Sequence, residues 1–414
     1  MIQITHPALR LVLAVGLCFA GVTDAVAQTP DGPAGMAFYN PPSPLPPATH
    51  GTPIWMRDAP TAVALPGAAR NLLVLYQSLT LEGVPVAVSG TVSIPRGRPP
   101  EGGWPLITWT HGTTGISPAC APSLDVPGGT EHYYLGPSRE RLDGLVRLGY
   151  AVVFSDFQGL GVTGGSIHPF LQGEAEARGA LDIMRAARQI DRDIGESYAV
   201  MGHSEGGQAA LFTAQFGPSY VPELSLLGTV AFAPASDMAG RIQGLTSTAE
   251  PSGALVYAMY FLQSVASNHS DIDLRRILTP QALDHLPQTQ RECVSPTLAA
   301  GYWATAIPRD QFIAGADLAS VMQLALANDP GRVRISAPVF IMQGSADVTV
   351  PPGGTDLVAS SMCANGNELL YSVLPGADHE SVVQQGNEAA IAWVQARFQR
   401  LAATSNCSAG APRQ

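Results

Sequence analysis

The sequence predicts an α/β fold: a mostly parallel central sheet flanked by helices, with an inserted helical lid domain. Three observations carry that reading. Ala199 to Met201 reads as a buried strand that ends in Gly202-His203-Ser204-Glu205-Gly206 and runs into a small-residue helix from Gly207 to Ala214. Strand-like and helix-like stretches alternate on both sides of it, as in parallel sheets covered on both faces. The alternation stops at Ser236, gives way to helical patterns until about Val333, and then resumes.

Composition narrows the chemistry. The net charge of −11 disfavours nucleic acid as a partner. Every basic residue is arginine. Without lysine, a Ser-Lys dyad, a lysine Schiff base and a P-loop lysine are all excluded. Arg10, the apolar run Leu11 to Val22 and the small-x-small pattern Ala25-Val-Ala27 predict an export signal over residues 1–27, cleaved before Gln28. The expected location is therefore secreted or periplasmic. Cys18 follows Leu17, which argues against a lipid-anchored cysteine. No transmembrane anchor is expected, since the nearest later run, Gly253 to Ala266, is too short. Cys120, Cys293, Cys363 and Cys407 are widely spaced with no C-x-x-C pair, which predicts no zinc site. In an exported protein their even number predicts two disulfides, and composition leaves all three pairings open.

The elements follow in order. Residues 28–66 read as a Pro-rich N-terminal arm, Asn40-Pro-Pro-Ser-Pro-Leu-Pro-Pro47, extended over the surface. Val74 and Tyr76 precede a Leu81-Glu-Gly83 turn; Val84, Val86 and Val88 follow it, and Val92 and Ile94 lie past Gly90. Their period of two predicts antiparallel strands. Pro105 to Trp109 is the next strand, Ser138 to Leu148 a helix, Tyr150 to Ser155 a strand and Gly173 to Gln189 a helix. After the glycine-serine turn and its helix, Leu226 to Ala233 is a strand. Ala337 to Met342 and Leu369 to Val373 are the last strands, with helices at Thr355 to Cys363 and Ser381 to Leu401. The core is thus expected in two parts, 67–235 and 334–414. The helical insertion 236–333 lies over the carboxyl ends of the strands, where catalytic groups gather.

The motif G-x-S-x-G between strand and helix is the pattern of a nucleophile elbow, which lifts Ser204 above the sheet edge. Glycines let the two backbones approach. An ordinary glycine-rich turn is the alternative. A serine hydroxyl needs a base. His50 lies in the arm, His269 and His285 in the insertion, and His132 and His168 in loops. His203 is locked beside the serine, and His111 follows an early strand. His379, just past the last strand, is free to swing over Ser204 and is the expected base. Asp347, in the turn after the strand ending at Met342, is the expected orienting carboxylate, with Asp237 and Asp378 as rivals. Ser204, Asp347, His379 is the chain order of the α/β-hydrolase fold. An oxyanion needs preorganised donors. The backbone N–H groups of Glu205 and Thr113 are expected to supply them, with a hydroxyl of Thr113 or Thr114 assisting. Asp156 is expected to satisfy its own turn.

These stretches resemble the secretory lipases, an α/β-hydrolase group typified by fungal lipase A with bacterial relatives. The likeness rests on Asn40-Pro-Pro, Cys120-Ala-Pro-Ser123, Ser155-Asp-Phe-Gln-Gly159, Gly173-Glu-Ala-Glu, Gly202 to Gly207, Gly344-Ser-Ala-Asp-Val-Thr-Val-Pro351 and Asp378-His379. It implies a Ser204, Asp347, His379 triad, a helical lid between the sixth and seventh strands, and disulfides Cys120–Cys293 and Cys363–Cys407. One departure stands out: the fungal type has an acidic side chain near the oxyanion hole, where this chain has Thr113 in His-Gly-Thr-Thr.

Together these readings predict a serine carboxylic-ester hydrolase that works without metal or organic cofactor. Its expected partner is a small-molecule or lipid ester, with transient contact at a lipid interface, and a monomer is expected. The apolar stripe Val256, Met259, Phe261, Leu262 fits either plain lid core or an acyl-binding surface. A peptidase or amidase, an acyltransferase or a polyester hydrolase would keep the same triad, and a catalytically silent binding module is the contrasting class.

Overall fold

Alternating apolar residues build one sheet. The computed structural model describes residues 1–3, 29–165 and 167–407. Its strands are β1 (Pro53–Asp58), β2 (Arg70–Leu79), β3 (Pro85–Ile94), β4 (Trp104–Thr110), β5 (Ala151–Ser155), β6 (Ile194–His203), β7 (Ser225–Phe232), β8 (Val339–Gly344) and β9 (Leu369–Leu374). They order as β1-β2-β3-β5-β4-β6-β7-β8-β9. β1 to β3 are antiparallel, β3 joins β5 antiparallel, and every pairing from β5 to β9 is parallel. Register brings the carboxyl ends level: Thr110 faces Gly202, His203 faces Phe232, and Gly344 faces Leu374.

The helices up to β7 are α1 (His132–Arg147), α2 (Gly173–Ile190) and α3 (Glu205–Tyr220). Those between β7 and β8 are α4 (Met238–Leu245), α5 (Ala254–Asn268), α6 (Pro280–Thr289), α7 (Val294–Ala299), α8 (Tyr302–Thr305) and α9 (Ala319–Ala327). The last two are α10 (Pro352–Ala364) and α11 (Ser381–Phe398). The period of two divides the central strands between the layers. Ile107, Val152 and Met201 pack with Leu142 of α1 and Val394 of α11. Their neighbours Leu106, Val153 and Val200 pack with Leu181 and Met184 of α2 on the other face. Burial on both faces is why these strands read as continuous apolar runs.

The insertion has its own core. Val256, Met259, Phe261 and Leu262 of α5 are fully buried among Leu245, Leu278, Leu286, Trp303 and Phe312. The apolar stripe is therefore insertion core. The insertion's described elements are helical, apart from an isolated bridge between Leu278 and Phe312. Among the described residues no helix is long and apolar enough to cross a membrane. Cys120–Cys293 ties the start of α7 to the loop after β4, and Cys363–Cys407 pins the chain's end to α10.

Four expectations need correction. The arm is not merely draped on the surface: it contributes β1, and Phe38 and Tyr39 are buried against Ile54, Leu73, Leu75 and Ala87. Pro53 at the first position of an edge strand leaves no ladder bond unmade, which lets a Pro-rich segment join a sheet. The insertion follows β7, between the seventh and eighth strands, not between the sixth and seventh as the resemblance implied. The residues around Gly90 also belong to one strand, β3, which continues through it. α1 begins at His132, ahead of the expected Ser138. The expected cleavage after Ala27 and the apolar run Leu11 to Val22 lie outside the described residues.

Candidate active site

β6 and α3 meet so closely that only glycine fits. A Cβ on Gly202 would lie 2.1 Å from the Gly206 carbonyl oxygen, and one on Gly206 would lie 2.0 Å from the Thr110 carbonyl oxygen. Ser204 between them is held at φ 60°, ψ −122°, a conformation costly for any residue with a side chain. Backbone bonds over-determine it: the Ser204 N–H donates to the Phe232 carbonyl at 2.9 Å, and its own carbonyl accepts from Ala235 N–H at 2.9 Å.

The loops after β8 and β9 bring the expected partners to that serine. His379 Nε2 lies 2.9 Å from Ser204 Oγ, and His379 Nδ1 lies 2.8 Å from Asp347 Oδ2. Asp347 is buried, and its Oδ1 accepts the N–H groups of Thr349 at 2.9 Å and Val350 at 2.8 Å. Gln343 Nε2 donates to Oδ2 at 3.1 Å. These bonds aim one carboxylate oxygen at His379. The imidazole therefore carries its proton on Nδ1 and offers Nε2 as acceptor to the Ser204 hydroxyl. The rival carboxylates have other work. Asp378 accepts from Ser381 N–H at 2.8 Å at the head of α11, and Asp237 accepts from Gly240 N–H at 3.1 Å at the head of α4.

Glu205 is the first residue of α3, so its N–H has no acceptor within the helix. Its side chain turns away into a buried cluster, with Oε1 2.6 Å from His168 Nε2. Burial first, and then the charge of Glu205, push the Glu176 carboxyl well above the usual range. His168, Glu176 and Glu205 bring ligand atoms within 4.8 Å of one another, near enough for a metal ion. Here the His168 nitrogen is instead engaged with the carboxylate. Thr113 lines the cleft at Ser204. Thr114 is fully buried, and its carbonyl accepts from Val294 N–H of α7 at 2.9 Å.

Sequence reading missed a second set of contacts. His203 Nε2 donates to the backbone carbonyl of His379 at 2.8 Å. Its Nδ1 lies 3.3 Å from the Tyr134 hydroxyl, which accepts from Gly112 N–H at 2.6 Å. Burial, then the neighbouring His379, hold the His203 pKa well below its ordinary value, so the ring is neutral. The hydroxyl can then donate to Nδ1, and one chain of bonds links the β4 loop, the elbow and the His379 loop. Only the position of His203 inside the motif hinted at this. Asp156 also departs from expectation. Instead of its own turn it binds Ser123 N–H at 2.8 Å and Ser89 Oγ at 2.6 Å, and burial raises its pKa.

The cleft beside Ser204 is nearly closed, with free space of about 20 Å³ walled by Phe170, Leu171, Met238, Tyr257 and Val350. That is room for about one water molecule. A larger depression, about 1030 Å³, lies around His50 and the start of β6, at the opposite end of that strand from Ser204.

The model of the family described as "Secretory lipase" matches residues 140–406. The chain is 24% identical over 398 residues to "Probable inactive lipase MT1628" of Mycobacterium tuberculosis, covering 88% of this chain and 82% of that one. It is 24% identical over 393 residues to "Secreted triacylglycerol lipase LIP7" of Malassezia globosa, covering 88% and 80%. In three dimensions it is similar to Candida antarctica lipase A in its closed state, with TM-score 0.75, 20% identity, and coverage of 91% of this chain and 90% of that one. With the matched stretch spanning well over half the sequence, and Ser204, Asp347 and His379 all inside it, the chain belongs to the secretory lipase family and is a carboxylic-ester hydrolase of the lipase/esterase type.

Proposed function

We propose that Ser204 is the nucleophile, His379 the general base and acid, and Asp347 the carboxylate that fixes the His379 tautomer. The observation that carries this is the unbroken contact from Ser204 Oγ to His379 Nε2 at 2.9 Å and from His379 Nδ1 to Asp347 Oδ2 at 2.8 Å. His379 takes the hydroxyl proton as Oγ attacks the ester carbonyl, and then gives it to the leaving alcohol. Water, deprotonated by His379, releases the acid from the acyl-enzyme. The N–H groups of Glu205 and Thr113 stabilise the developing oxyanion, an effect worth roughly 3–4 kcal/mol per donor in comparable sites.

Residues 236–333 act as the lid in this reading. The cleft has space of only about 20 Å³, so an acyl chain enters only after the insertion moves, and a lipid surface is the partner that would favour the open form. We also propose that the protein is a monomer, which light scattering on the purified protein tests. Export with cleavage after Ala27 predicts a mature protein starting at Gln28, readable by N-terminal sequencing.

The deciding experiment is a series of p-nitrophenyl esters from acetate to palmitate on wild type and Ser204→Ala. Loss of turnover in the variant across the series is expected. Retained turnover would remove Ser204 from the mechanism. A short-chain optimum identifies a confined pocket, and a long-chain optimum an acyl channel under the lid.

A further inference from the structure

The cleft wall mixes apolar side chains with neutral hydroxyls, and one of its side chains is charged. Arg241, on α4 of the insertion, lines the cleft together with Ser204, Thr113, Met238, Tyr257 and Val350. It is half-buried. Among the described residues it forms no ion pair and no side-chain hydrogen bond: the carboxylates acting on it are those of Asp237 and Asp347, both beyond ion-pair distance. Burial is the largest influence on the guanidinium and pulls its pKa below the ordinary value, so these carboxylates do not fully make up for the lost water. Both are already committed. Asp237 caps α4, and Asp347 holds His379.

A partly desolvated cation without a counter-ion is unfavourable, and a purely aliphatic substrate would do nothing to relieve it. Nothing in ester hydrolysis asks for a positive charge there, because backbone N–H groups are available for the oxyanion. Arginine's planar fork does match a carboxylate, sulfate or phosphate.

We propose that Arg241 is a specificity-determining residue that selects esters carrying an anionic group close to the scissile bond. The inference rests on Ser204 being the nucleophile, since that is what makes this cleft the substrate site. The anion sits on the acyl part or on the alcohol part, and the same chemistry serves both.

Two matched pairs of probes test it. On the acyl side, mono-p-nitrophenyl adipate is compared with p-nitrophenyl hexanoate. On the alcohol side, p-(hexanoyloxy)benzoate is compared with its methyl ester. The readout is the ratio of kcat/KM, charged over neutral, within each pair. In wild type at low salt one pair is expected to favour the charged member about tenfold, the size of one charge-assisted hydrogen bond. Which pair responds locates the anion. Arg241→Met is expected to bring that ratio to one or below, and Arg241→Lys to keep part of it. High salt is expected to shrink the wild-type ratio, a control that needs no variant. Preference for the neutral member in both pairs, or a ratio unchanged in Arg241→Met, overturns the proposal while leaving ester hydrolysis standing. Turnover retained in Ser204→Ala overturns both this inference and the reading it rests on.

Discussion

Replacing Asp347 by asparagine isolates what the carboxylate does for His379. Oδ1 of Asp347 accepts two backbone N–H groups, from Thr349 and Val350, at 2.9 and 2.8 Å. An asparagine must keep its oxygen there, since an NH2 in that place would leave two buried donors unpaired. Its NH2 then faces His379 Nδ1, where Oδ2 now accepts at 2.8 Å. Gln343 does not offer a way out, because its own oxygen is engaged by Thr355 Oγ1 at 2.6 Å. His379 must then accept at Nδ1 and carry its proton on Nε2, pointing at Ser204 Oγ. A ring in that tautomer cannot take the serine proton. The expected loss in kcat/KM is about ten-thousand-fold, or roughly 5.5 kcal/mol of transition-state stabilisation. The assay is kcat/KM on p-nitrophenyl butyrate at neutral pH, beside the rate of fluorophosphonate labelling and a thermal melt. Both rates are expected to fall together in a folded protein, while Asp378→Asn keeps most of its activity. A folded Asp347→Asn protein within tenfold of wild type would refute the reasoning.

Other outcomes follow from the same structure. Gly206→Ala forces a Cβ to within 2.0 Å of a backbone oxygen that cannot retreat, and is expected to lower stability by about 3 kcal/mol or more in urea titrations, with the unchanged midpoint as the contrary result. Opening Cys120–Cys293, which closes a separation of 173 residues, removes up to about 5 kcal/mol by the loop-entropy relation. Melts of Cys293→Ser with and without reductant check it, and peptide mapping checks the pairing. Tyr134→Phe leaves the buried Gly112 N–H without its acceptor, for a cost of about 1–3 kcal/mol, and is expected to lower kcat more than it raises KM. The His203 pKa is depressed in the folded state, so below about pH 6.5 the unfolded chain binds the extra proton and the folded one does not. Stability from this residue is complete above that pH and is lost as pH falls, by at most about 1.4 kcal/mol per unit. His203→Asn should therefore show a shallower loss than wild type between pH 7 and 5, and parallel curves would argue against a neutral His203.

The sequence by itself determined the layers, the elbow and the three residues now found in contact. Those features are local. A period of two marks Leu106 and Ile107 for opposite faces, Gly202 and Gly206 mark the sharp turn, and Asp347 and His379 are found by counting which strand ends before them. Loops at the carboxyl ends of parallel strands open on one edge of the sheet, so chain order placed Ser204, Asp347 and His379 on that edge. Tertiary structure alone decided the rest. The arm's strand β1 was hidden by its prolines, because partners for Phe38 and Ile54 come from β2 and β3. His203 reaches the His379 carbonyl 176 residues after it and the Tyr134 hydroxyl 69 residues before it, and His168 and Glu205 meet across 37. No spacing rule encodes such pairs: each side chain obeys its own local pattern, and only packing chooses which buried polar groups must satisfy one another. The α5 stripe makes the same point, since its apolar spacing fits core or pocket equally well. What the cleft presents to a substrate, including Arg241, was fixed when the insertion folded down over the sheet.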